Sequence, residues 1–550
     1  MNKRKLAVAL TIGMTAALLA GCGGGSEKSS ETTKAALEKD ASDNGLQPVK
    51  ERVTMTIGKA ENTSDKYEPG DSVGDNFVLR WYEDHLNIDY QYQWVAAGGD
   101  AYNQKSSLII STGELPDVMT VTEAQLRQLV KAGMIEDLTD AYHTFASDIL
   151  KESYETTNGI SLDSATFDGK LMAIPNINPG ADGIPLLFLR GDWMDELGLK
   201  DPKTLDDIVN IVKAFKEKKG SQGLVASNQI VKVGNNICGL DAIFALYNSY
   251  PELWVTDADG RIAYGSIQPE TREALKKLAE LVQEGVLEKD FAVKDQEQCN
   301  EIITSGKGGA FFGAWWNYDW PLSDMWLSNP DLKWNSYAVP LTEDGIYNTH
   351  MLNPSTTYLV VRKGYEHLEA VMKTVNLQID TEFKGIKIID KPVEDAWANW
   401  TMFPFSILLT TYDDKEKIAQ EIDSVISGEK TKEEIRPDRA ILSDTYRNVL
   451  EKGMQEAKKE NKYNGWSFYM GSKTIVEAED HMNRVFASTY AQSPSMDKKW
   501  ATLEKLEDET FLQIILGEKP IEAFDEFVVQ WKSLGGDDIT RELQEMSDSK

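Results

Sequence analysis

The feature that most constrains the fold is an alternation of two hydrophobic periods near the start of the chain. Three segments have the strand-like pattern of half-buried sheets, and helical apolar spacing follows each of them. Strands that alternate with helices predict a parallel sheet covered on both faces, and therefore an α/β fold. The predicted strands cover residues 53–57, 88–94 and 117–121, and the predicted helices cover residues 77–86, 102–111 and 123–132.

Two loops of this predicted sheet are candidates for a ligand site. In open sheets of this kind, ligands collect beyond the carboxyl ends of the strands. Residues 61–74 and residues 96–100 follow the first and second predicted strands. We therefore expect both loops to border the site.

A second lobe is expected from the length of the chain and from one stretch near its first third. The chain has 550 residues, which is too many for one hydrophobic core. Residues 168–175 form a turn and a short apolar run, a Pro/Gly-rich bend follows, and residues 184–189 form another apolar run. We interpret this stretch as the place where the chain leaves one lobe and begins another. The C-terminal part is predicted to be mostly helical, with a last helix over residues 520–534.

The charge of the chain excludes two classes of partner. The formal net charge is −31, whereas nucleic-acid binding requires a basic surface. The same charge disfavours direct adsorption to an anionic membrane. We therefore expect a soluble folded body without a nucleic-acid partner.

The N-terminus predicts export and a lipid anchor. Lys3, Arg4 and Lys5 precede a short apolar segment that ends at Cys22, and Gly-rich sequence follows. This arrangement resembles the lipobox of bacterial lipoproteins, which implies a signal peptide over residues 1–21 and lipid on Cys22. An ordinary secretory signal with a coincidental cysteine is the alternative. Residues 22–50 are polar and predict a flexible tether after the lipidated cysteine.

Motifs for catalysis and metal binding are scarce. The five histidines show no metal-ligand spacing, and neither G-x-S-x-G nor H-E-x-x-H is present. The abundant carboxylates leave a paired-carboxylate glycosidase open. Asp257-x-Asp259-Gly260 resembles a fragment of a calcium loop, but the later ligands are missing, so we expect a plain turn. Cys238 and Cys299 are expected to be two buried thiols, although export would allow a disulfide. We predict no metal and no cofactor.

Clustered tryptophans are the main evidence for a binding site. Flat aromatic rings pack well on the C–H faces of sugars and lose few rotamers in doing so. Neighbouring amides and carboxylates can bind the hydroxyl groups. The alternative for any single tryptophan is burial in the core. The ligand-binding candidates from the two aromatic groups are Trp315, Trp316, Asn317, Asp319, Trp397, Asn399 and Trp400.

Other candidates come from loops elsewhere in the chain. Arg190 begins the sequence Arg-Gly-Asp-Trp, and it could bind a ligand near the first lobe boundary. The alternative is structural, with Asp192 capping the next helical turn and Trp193 packing beneath it. Asn235 lies in a Gly-flanked loop, and Asn236 and Trp254 are weaker candidates.

With these residues in view, the chain resembles the family 1 extracellular solute-binding proteins of ABC importers, the group that includes maltose-binding protein. Residues 517–539 are similar to the long lipoprotein branch of that family, whose members mostly bind oligosaccharides. Leu205 departs from the Trp that members commonly carry, which we expect to affect helix packing only. The segments that carry the resemblance are residues 113–117, 168–175, 190–199, 203–207 and 306–315.

The resemblance implies a two-lobed fold of the type II periplasmic-binding-protein class. The lobes would be joined by crossing hinge strands near residues 173–179, 313–315 and 352–356. Lobe 1 would then comprise residues 51–175 and 316–352. Lobe 2 would comprise residues 180–312 and 358–550, including the helix-rich C-terminal part.

The resemblance also implies a receptor and not an enzyme. We expect a monomer on the extracellular face of the bacterial membrane, held only by its lipid anchor. It would bind an oligosaccharide and deliver it to the membrane subunits of an ABC permease. Because Arg190 is the one obvious cation near the crossings, we expect a neutral glycan. The alternatives are a surface-anchored carbohydrate enzyme, or the same receptor binding a peptide or an acidic uronate oligosaccharide.

Overall fold

A computed structural model describes residues 45–62, 67, 69–231, 237–329, 332–384, 402–453, 456 and 466–548. Several sequence predictions fall outside these residues. They are the signal peptide, Cys22, most of the tether, Asn235, Asn236, Trp397, Asn399 and Trp400.

The strands and helices are numbered here in chain order. The strands are β1 (Val53–Glu61), β2 (Ile88–Ala97), β3 (Val118–Val121), β4 (Thr166–Phe167), β5 (Lys170–Leu171), β6 (Ile174–Pro175), β7 (Leu186–Arg190), β8 (Leu224–Val225), β9 (Trp254–Thr256), β10 (Ile262–Tyr264), β11 (Ala310–Gly313), β12 (Trp334–Tyr337), β13 (Tyr347–His350), β14 (Tyr358–Val361) and β15 (Met482–Val485).

The helices alternate with these strands in the first part of the chain and dominate the last part. They are α1 (Phe77–Leu86), α2 (Asp100–Thr112), α3 (Glu123–Ala132), α4 (Thr139–Phe145), α5 (Asp148–Glu155), α6 (Ile160–Ser164), α7 (Gly191–Leu197), α8 (Leu205–Lys219), α9 (Asp241–Leu246), α10 (Pro269–Gln283), α11 (Gln296–Thr304), α12 (Ser323–Ser328), α13 (Leu368–Phe383), α14 (Asp414–Ile426), α15 (Pro437–Lys452), α16 (Trp466–Ala478), α17 (Met496–Ile515), α18 (Ala523–Trp531) and α19 (Asp537–Asp548).

The first lobe is built on a five-stranded sheet in the order β2-β1-β3-β14-β6. Strands β2, β1 and β3 are parallel, whereas β14 runs antiparallel to both of its neighbours. In β1 the residues predicted to point inward, Val53, Met55 and Ile57, are buried. The three predicted strands and the three helices that follow them are confirmed.

The second lobe is built on a four-stranded sheet in the order β12-β7-β11-β8. Strand β7 is antiparallel to both β11 and β12, and β8 is parallel to β11. A separate hydrophobic core joins this sheet to α8, α10 and the C-terminal helices, and Phe215, Leu278 and Trp531 are buried in it. Residues 254–264 form the predicted hairpin, as β9 and β10 pair antiparallel.

Three chain segments connect the lobes side by side. Residues 176–185 run from β6 of the first sheet to β7 of the second, and residues 351–357 lead back to β14. The backbone N–H of Asn176 donates to the Thr357 carbonyl at 2.8 Å, and that of Ile177 donates to the Leu408 carbonyl at 3.0 Å. Residues 402–412 therefore form a third hinge segment, without regular secondary structure, beside the first.

The predicted lobe boundaries and crossings need several corrections. Strand β12 pairs with β7, so residues 334–337 belong to the second sheet and not to lobe 1. Strand β14 lies between β3 and β6, so residues 358–361 belong to the first sheet and not to lobe 2. Helix α13 also belongs to the first lobe, because it packs against α1, α4 and α5. The segment 313–315 does not cross between the sheets, because the chain returns from it to the second sheet as β12.

Residues 45–50, which were predicted to belong to the tether, pack on the first lobe. Helix α13 of the first lobe binds the segment before β1. Lys373 Nζ donates to the Gln47 carbonyl at 2.8 Å, and Asn376 Nδ2 donates to the Gly45 carbonyl at 3.0 Å. Gly45 has a φ of 70°, and a Cβ there would lie 2.3 Å from the Phe145 carbonyl oxygen. This close approach requires glycine.

The C-terminal part is helical, as predicted, but it divides between two places. Helices α14, α15 and α16 form a group, called here the helical insert, which packs through Ile418, Ile422, Leu442, Tyr446 and Tyr469. Helices α17, α18 and α19 cover the second lobe. Within the described residues, no helix is long and apolar enough to cross a membrane.

Candidate functional site

One edge of the first sheet faces the hinge. Glu61, Ala97 and Val121 are the carboxyl ends of its three parallel strands. Val121 pairs with Tyr358, which in turn pairs with Pro175. The hinge segments leave the first sheet at Pro175 and enter it at Tyr358. The loops predicted to border a ligand therefore lie on the hinge side of the first lobe.

The second sheet also turns the carboxyl ends of strands towards the hinge. The hinge enters this sheet at Leu186, which pairs with Gly313 at the end of β11. Tyr337 and Val225, at the ends of β12 and β8, lie at the same edge because of their pairing with β7 and β11. The two sheets thus present loop-bearing edges to each other, and we take the space between them as the candidate cleft.

The residues after β11 form an aromatic turn at this edge, defined here as residues 315–320. Its first part is a 3-10 helix over Trp315–Tyr318. Trp315 is buried, and its indole Nε1 donates to Asp182 Oδ1 in the hinge at 2.8 Å. The Lys415 ammonium of the helical insert lies 5.0 Å from the centre of the Trp315 ring. Trp315 therefore fastens the turn to the hinge.

Asp182 and Gly471 hold Trp315 from two sides. Burial raises the pKa of Asp182, while the Trp315 hydrogen bond and the charge of Lys415 oppose that rise. On the other side, a Cβ at Gly471 of α16 would lie 1.9 Å from the Trp315 carbonyl oxygen. The helix can approach the turn this closely only because residue 471 is glycine.

Asn317 also has a structural position in the turn. Its side chain is fully buried, and its Nδ2 donates to the Trp320 carbonyl at 3.0 Å. A Cβ at Gly313 would lie 2.1 Å from Asn317 Oδ1, so the strand end and the turn pack without a gap. Asn317 therefore shapes the turn from inside.

The solvent-accessible rings of the aromatic turn are Trp316 and Trp320. Trp316 is half-buried, and Trp320 is 44% exposed. Their ring centres are 6.0 Å apart and their planes differ by 26°, so the two indoles form a stacked, nearly parallel pair. Asp319 lies between them in sequence and is half-exposed. An accessible pair of rings beside a carboxylate can pack on the C–H faces of a sugar and accept from its hydroxyls.

Arg190 does not lie at the candidate cleft, which corrects its assignment as a ligand-binding residue. It ends β7, at the edge of the second sheet that points away from the hinge. Its Nε and Nη2 donate to the two carboxylate oxygens of Asp192 at 2.8 and 2.6 Å. Its guanidinium carbon is 4.2 Å from the Trp193 ring centre. The structural alternative therefore describes this motif better as far as Trp193 is concerned, which is buried, but Asp192 binds Arg190 and does not cap the helix.

Two further candidates, Trp254 and the acidic turn at residues 257–260, have structural positions. Trp254 is buried in the second core beside Tyr264, at 4.9 Å between ring centres. Asp257 accepts the backbone N–H groups of Asp259 and Arg261, both at 2.9 Å, which makes the acidic hairpin a plain turn. Among the described residues, no group of three or more His, Cys, Asp or Glu side chains is arranged to hold a metal ion.

Sequence reasoning missed Trp320, Asp182, Lys415 and Gly471 as parts of this site. Trp320 stood within the tryptophan cluster, so composition offered a signal for it. Asp182, Lys415 and Gly471 are distant from the turn in sequence, and only the fold brings them to Trp315.

Comparison with known proteins gives a family and relatives. The family model described as bacterial extracellular solute-binding protein matches residues 67–382. The polygalacturonan/rhamnogalacturonan-binding protein YtcQ of Bacillus subtilis is 24% identical over 57% of this chain and 57% of its own length. The fructooligosaccharide ABC transporter substrate-binding protein FusA of Streptococcus pneumoniae is 26% identical over 78% of this chain and 74% of its own.

A solved structure shares the fold. The alginate-binding protein AlgQ2, in a crystal structure without calcium ion, superposes with a TM-score of 0.60 at 16% identity. The match covers 92% of this chain and 99% of AlgQ2. The fold is thus the two-lobed α/β fold of type II binding proteins, as predicted.

Proposed function

The chain belongs to the bacterial extracellular solute-binding protein family, and on that premise we propose that it is a receptor that binds an oligosaccharide between its lobes and delivers it to an ABC transporter permease. The lobes close on the ligand, and the permease responds to the closed state. No bond of the sugar is broken in this role.

The observation that carries the proposal is the Trp316–Trp320 surface at the hinge-facing edge of the second sheet. The accessible parts of these two rings can pack on the C–H face of a sugar unit. Trp315 and Asn317, predicted as ligand contacts, support the surface from beneath through Asp182 and the Trp320 carbonyl. Asp319 supplies an acceptor beside the rings.

We propose a neutral glycan as the ligand. Lys415, the cation that lies against the Trp315 ring, is paired with the Asp414 carboxylate at 2.8 Å and is largely buried. Two carboxylates, Asp182 and Asp319, also lie at the turn and would repel a uronate. Because the named ligands of the relatives include a fructooligosaccharide and polygalacturonan/rhamnogalacturonan, the ligand panel contains neutral and acidic sugars.

The proposal includes the extracellular face of the membrane as the site of action. The signal peptide over residues 1–21 and lipidation of Cys22 would supply the anchor, and residues 22–44 would supply the tether. We propose a monomer, because each chain carries both lobes of the cleft. The permease is the partner, and neither metal nor cofactor takes part.

A ligand panel tests the proposal. The protein would be screened by thermal shift against neutral fructo-, gluco- and xylo-oligosaccharides and against oligogalacturonates, and hits would be measured by titration calorimetry with product analysis. We expect stoichiometric binding of a neutral sugar with no change in its length. Shortened products would favour the carbohydrate enzyme, and binding of oligogalacturonates alone would favour an acidic ligand.

A substitution of Trp316 tests whether the sugar binds in this cleft. Trp316→Ala should weaken binding by roughly 5–30-fold, or about 1–2 kcal/mol, because the sugar loses one aromatic face. Trp316→Phe keeps a flat ring and is the matched control. Equal affinity of the wild type and Trp316→Ala for the best sugar would contradict the proposed site.

A further inference from the structure

Two buried cysteines meet beneath the cleft-facing edge of the second sheet. Both are free thiols with no solvent exposure, and they are 61 positions apart in sequence. Cys238 donates its backbone N–H to the Phe312 carbonyl at 2.7 Å, next to the end of β11. Cys299 belongs to α11. The fold thus brings together two thiols whose sequence spacing gave no sign of contact.

Both cysteines hold the same short segment after β8. The carbonyl of Cys238 accepts the backbone N–H of Ser227 at 2.9 Å, and the thiol of Cys299 contacts the Ala226 carbonyl at 3.3 Å. Ala226 and Ser227 follow the carboxyl end of β8, which lies at the hinge-facing edge of the sheet. A bond between the two cysteines would therefore fix a segment at the border of the candidate cleft.

The two side chains are also close enough to shift each other's pKa. The neighbouring Cys238 thiol lowers the pKa of Cys299, and burial raises the pKa of Cys238. The charge of Lys294 also lowers the pKa of Cys299. Cys238 has a φ of 69°, a left-handed conformation that few residues other than glycine adopt.

We propose that Cys238 and Cys299 form a disulfide in the exported protein, and that this bond fastens the segment after β8 to helix α11. The inference rests on the proposed extracellular location, where small disulfides and dithiol oxidoreductases act as oxidants. The chain is then a receptor with a redox-dependent link at one border of its cleft.

The reaction is a two-step thiol–disulfide exchange with a disulfide oxidant. The Cys299 thiolate attacks one sulfur of the oxidant, which forms a mixed disulfide and releases one thiol. Cys238 then loses its proton and attacks Cys299 Sγ, which releases the second thiol of the oxidant. One protein S–S bond replaces the S–S bond of the oxidant, and two electrons and two protons pass from the protein to the oxidant.

The disulfide between Cys238 and Cys299 would stabilise the folded protein. It closes a loop of about 60 residues, and a crosslink of that length restricts the unfolded chain strongly. We therefore expect the oxidised protein to unfold at a higher temperature than the reduced protein.

Peptide mapping of the full chain tests the proposal. The reduced, unfolded protein would be incubated with reduced and oxidised glutathione while it refolds, then denatured in N-ethylmaleimide so that every remaining thiol is alkylated, and digested with trypsin. Cys238 lies in the tryptic peptide 233–261 and Cys299 in the peptide 295–307. We expect these two peptides to appear joined, and to separate when dithiothreitol is added. The thermal midpoint should fall on reduction in the wild type but not in Cys238→Ser or Cys299→Ser.

Two results would overturn the proposal. One is complete alkylation of both cysteines after the incubation, which would show that the thiols do not pair. The other is a link from either cysteine to Cys22 or to a second chain. Peptide mapping reports the link whether or not any sugar binds, so its failure is distinguishable from failure of the proposed function. The mapping uses the wild type and therefore does not depend on whether the serine variants fold.

Discussion

The two edges of the second sheet carry the same kinds of side chain and use them differently. At the edge away from the hinge, Arg190 is bound to Asp192 and lies against the Trp193 ring. At the hinge-facing edge, Trp315 is held in a similar way by Asp182 and Lys415, but Trp316 and Trp320 remain accessible beside it. The comparison teaches that tryptophans beside charged groups do not identify a binding surface. A binding surface needs rings that remain accessible after the charges have been paired.

The largest effect should come from filling the space between α16 and the aromatic turn. Gly471→Ala places a Cβ 1.9 Å from the Trp315 carbonyl oxygen, so the helix or the turn must move. We expect a loss of at least about 3 kcal/mol in the free energy of unfolding, together with loss of sugar binding. Urea unfolding and calorimetry measure the two effects. Gly74→Ala is the matched control, because a Cβ at Gly74 would meet nothing within 4 Å. Full binding by Gly471→Ala would show that the turn does not depend on the insert.

The next largest effect should distinguish the two edges of the second sheet. Arg190→Ala removes a largely buried guanidinium and leaves Asp192 without its partner, although Asp192 remains partly solvated at 27% side-chain exposure. We expect a loss of about 2 kcal/mol in the free energy of unfolding and no change in sugar affinity. Calorimetry at a temperature where the variant is folded measures the affinity. A weakened affinity would return Arg190 to the ligand site and contradict the separation of the edges.

Trp320→Ala should show the opposite pattern. Because the ring is 44% exposed, its removal costs little in stability, whereas the sugar loses part of its flat surface. We expect an affinity loss of about 1 kcal/mol, which is roughly 5-fold, and an unfolding midpoint close to that of the wild type. Trp320→Phe should recover most of the affinity. A variant that is destabilised but binds normally would mean that Trp320 has a packing role, as Trp193 does at the other edge.

The smallest expected effect concerns the ionisation of Asp182, the carboxyl group beneath the aromatic turn. Burial raises the pKa of Asp182 above its usual value near 3.8, so ionisation of this carboxyl is less favourable in the folded than in the unfolded protein. Its contribution to stability is therefore full below pH 4 and declines as the pH rises through the folded pKa. Asp182→Asn still accepts the hydrogen bond from Trp315 and does not titrate.

The stability of Asp182→Asn relative to the wild type should consequently increase between pH 4 and pH 7, by about 1 kcal/mol for each unit of the pKa shift. Urea unfolding of both proteins at the two pH values measures this difference. A constant difference would mean that Lys415 and Trp315 fully offset the burial of the carboxylate.

The sequence allowed the local elements to be predicted well and the long-range pairing poorly. Strands β1 to β3 and their helices have hydrophobic periods that can be recognised within a few turns of chain. The sheet membership of β12 and β14 depends on partners more than 140 and 230 residues away, at β7 and β3, and no local pattern encodes that choice.

The candidate site shows the same limit at the level of single residues. The tryptophan cluster pointed to the turn that is proposed here as the site, but the sequence could not distinguish Trp315, which is buried, from Trp316 and Trp320, which are accessible. The difference arises because Asp182, Lys415 and Gly471 arrive from three other parts of the fold. Arg190 was assigned to the ligand because it lies near the first lobe boundary in sequence, whereas β7 begins at the hinge and ends with Arg190 at the far edge.

The packing of residues 45–49 against α13 determines where the tether to the membrane would start. Val49 donates its backbone N–H to the Leu86 carbonyl at 3.0 Å, and the chain before it follows α13 from Lys373 to Asn376, so a tether would leave the first lobe beside α13. With the proposed anchor at Cys22, the contour length of this tether would reach about 80 Å, whereas β2 is about 30 Å long. Such an anchor would leave the body room to rotate, so that the mouth of the cleft could face the medium to capture a sugar and then face the membrane to release it.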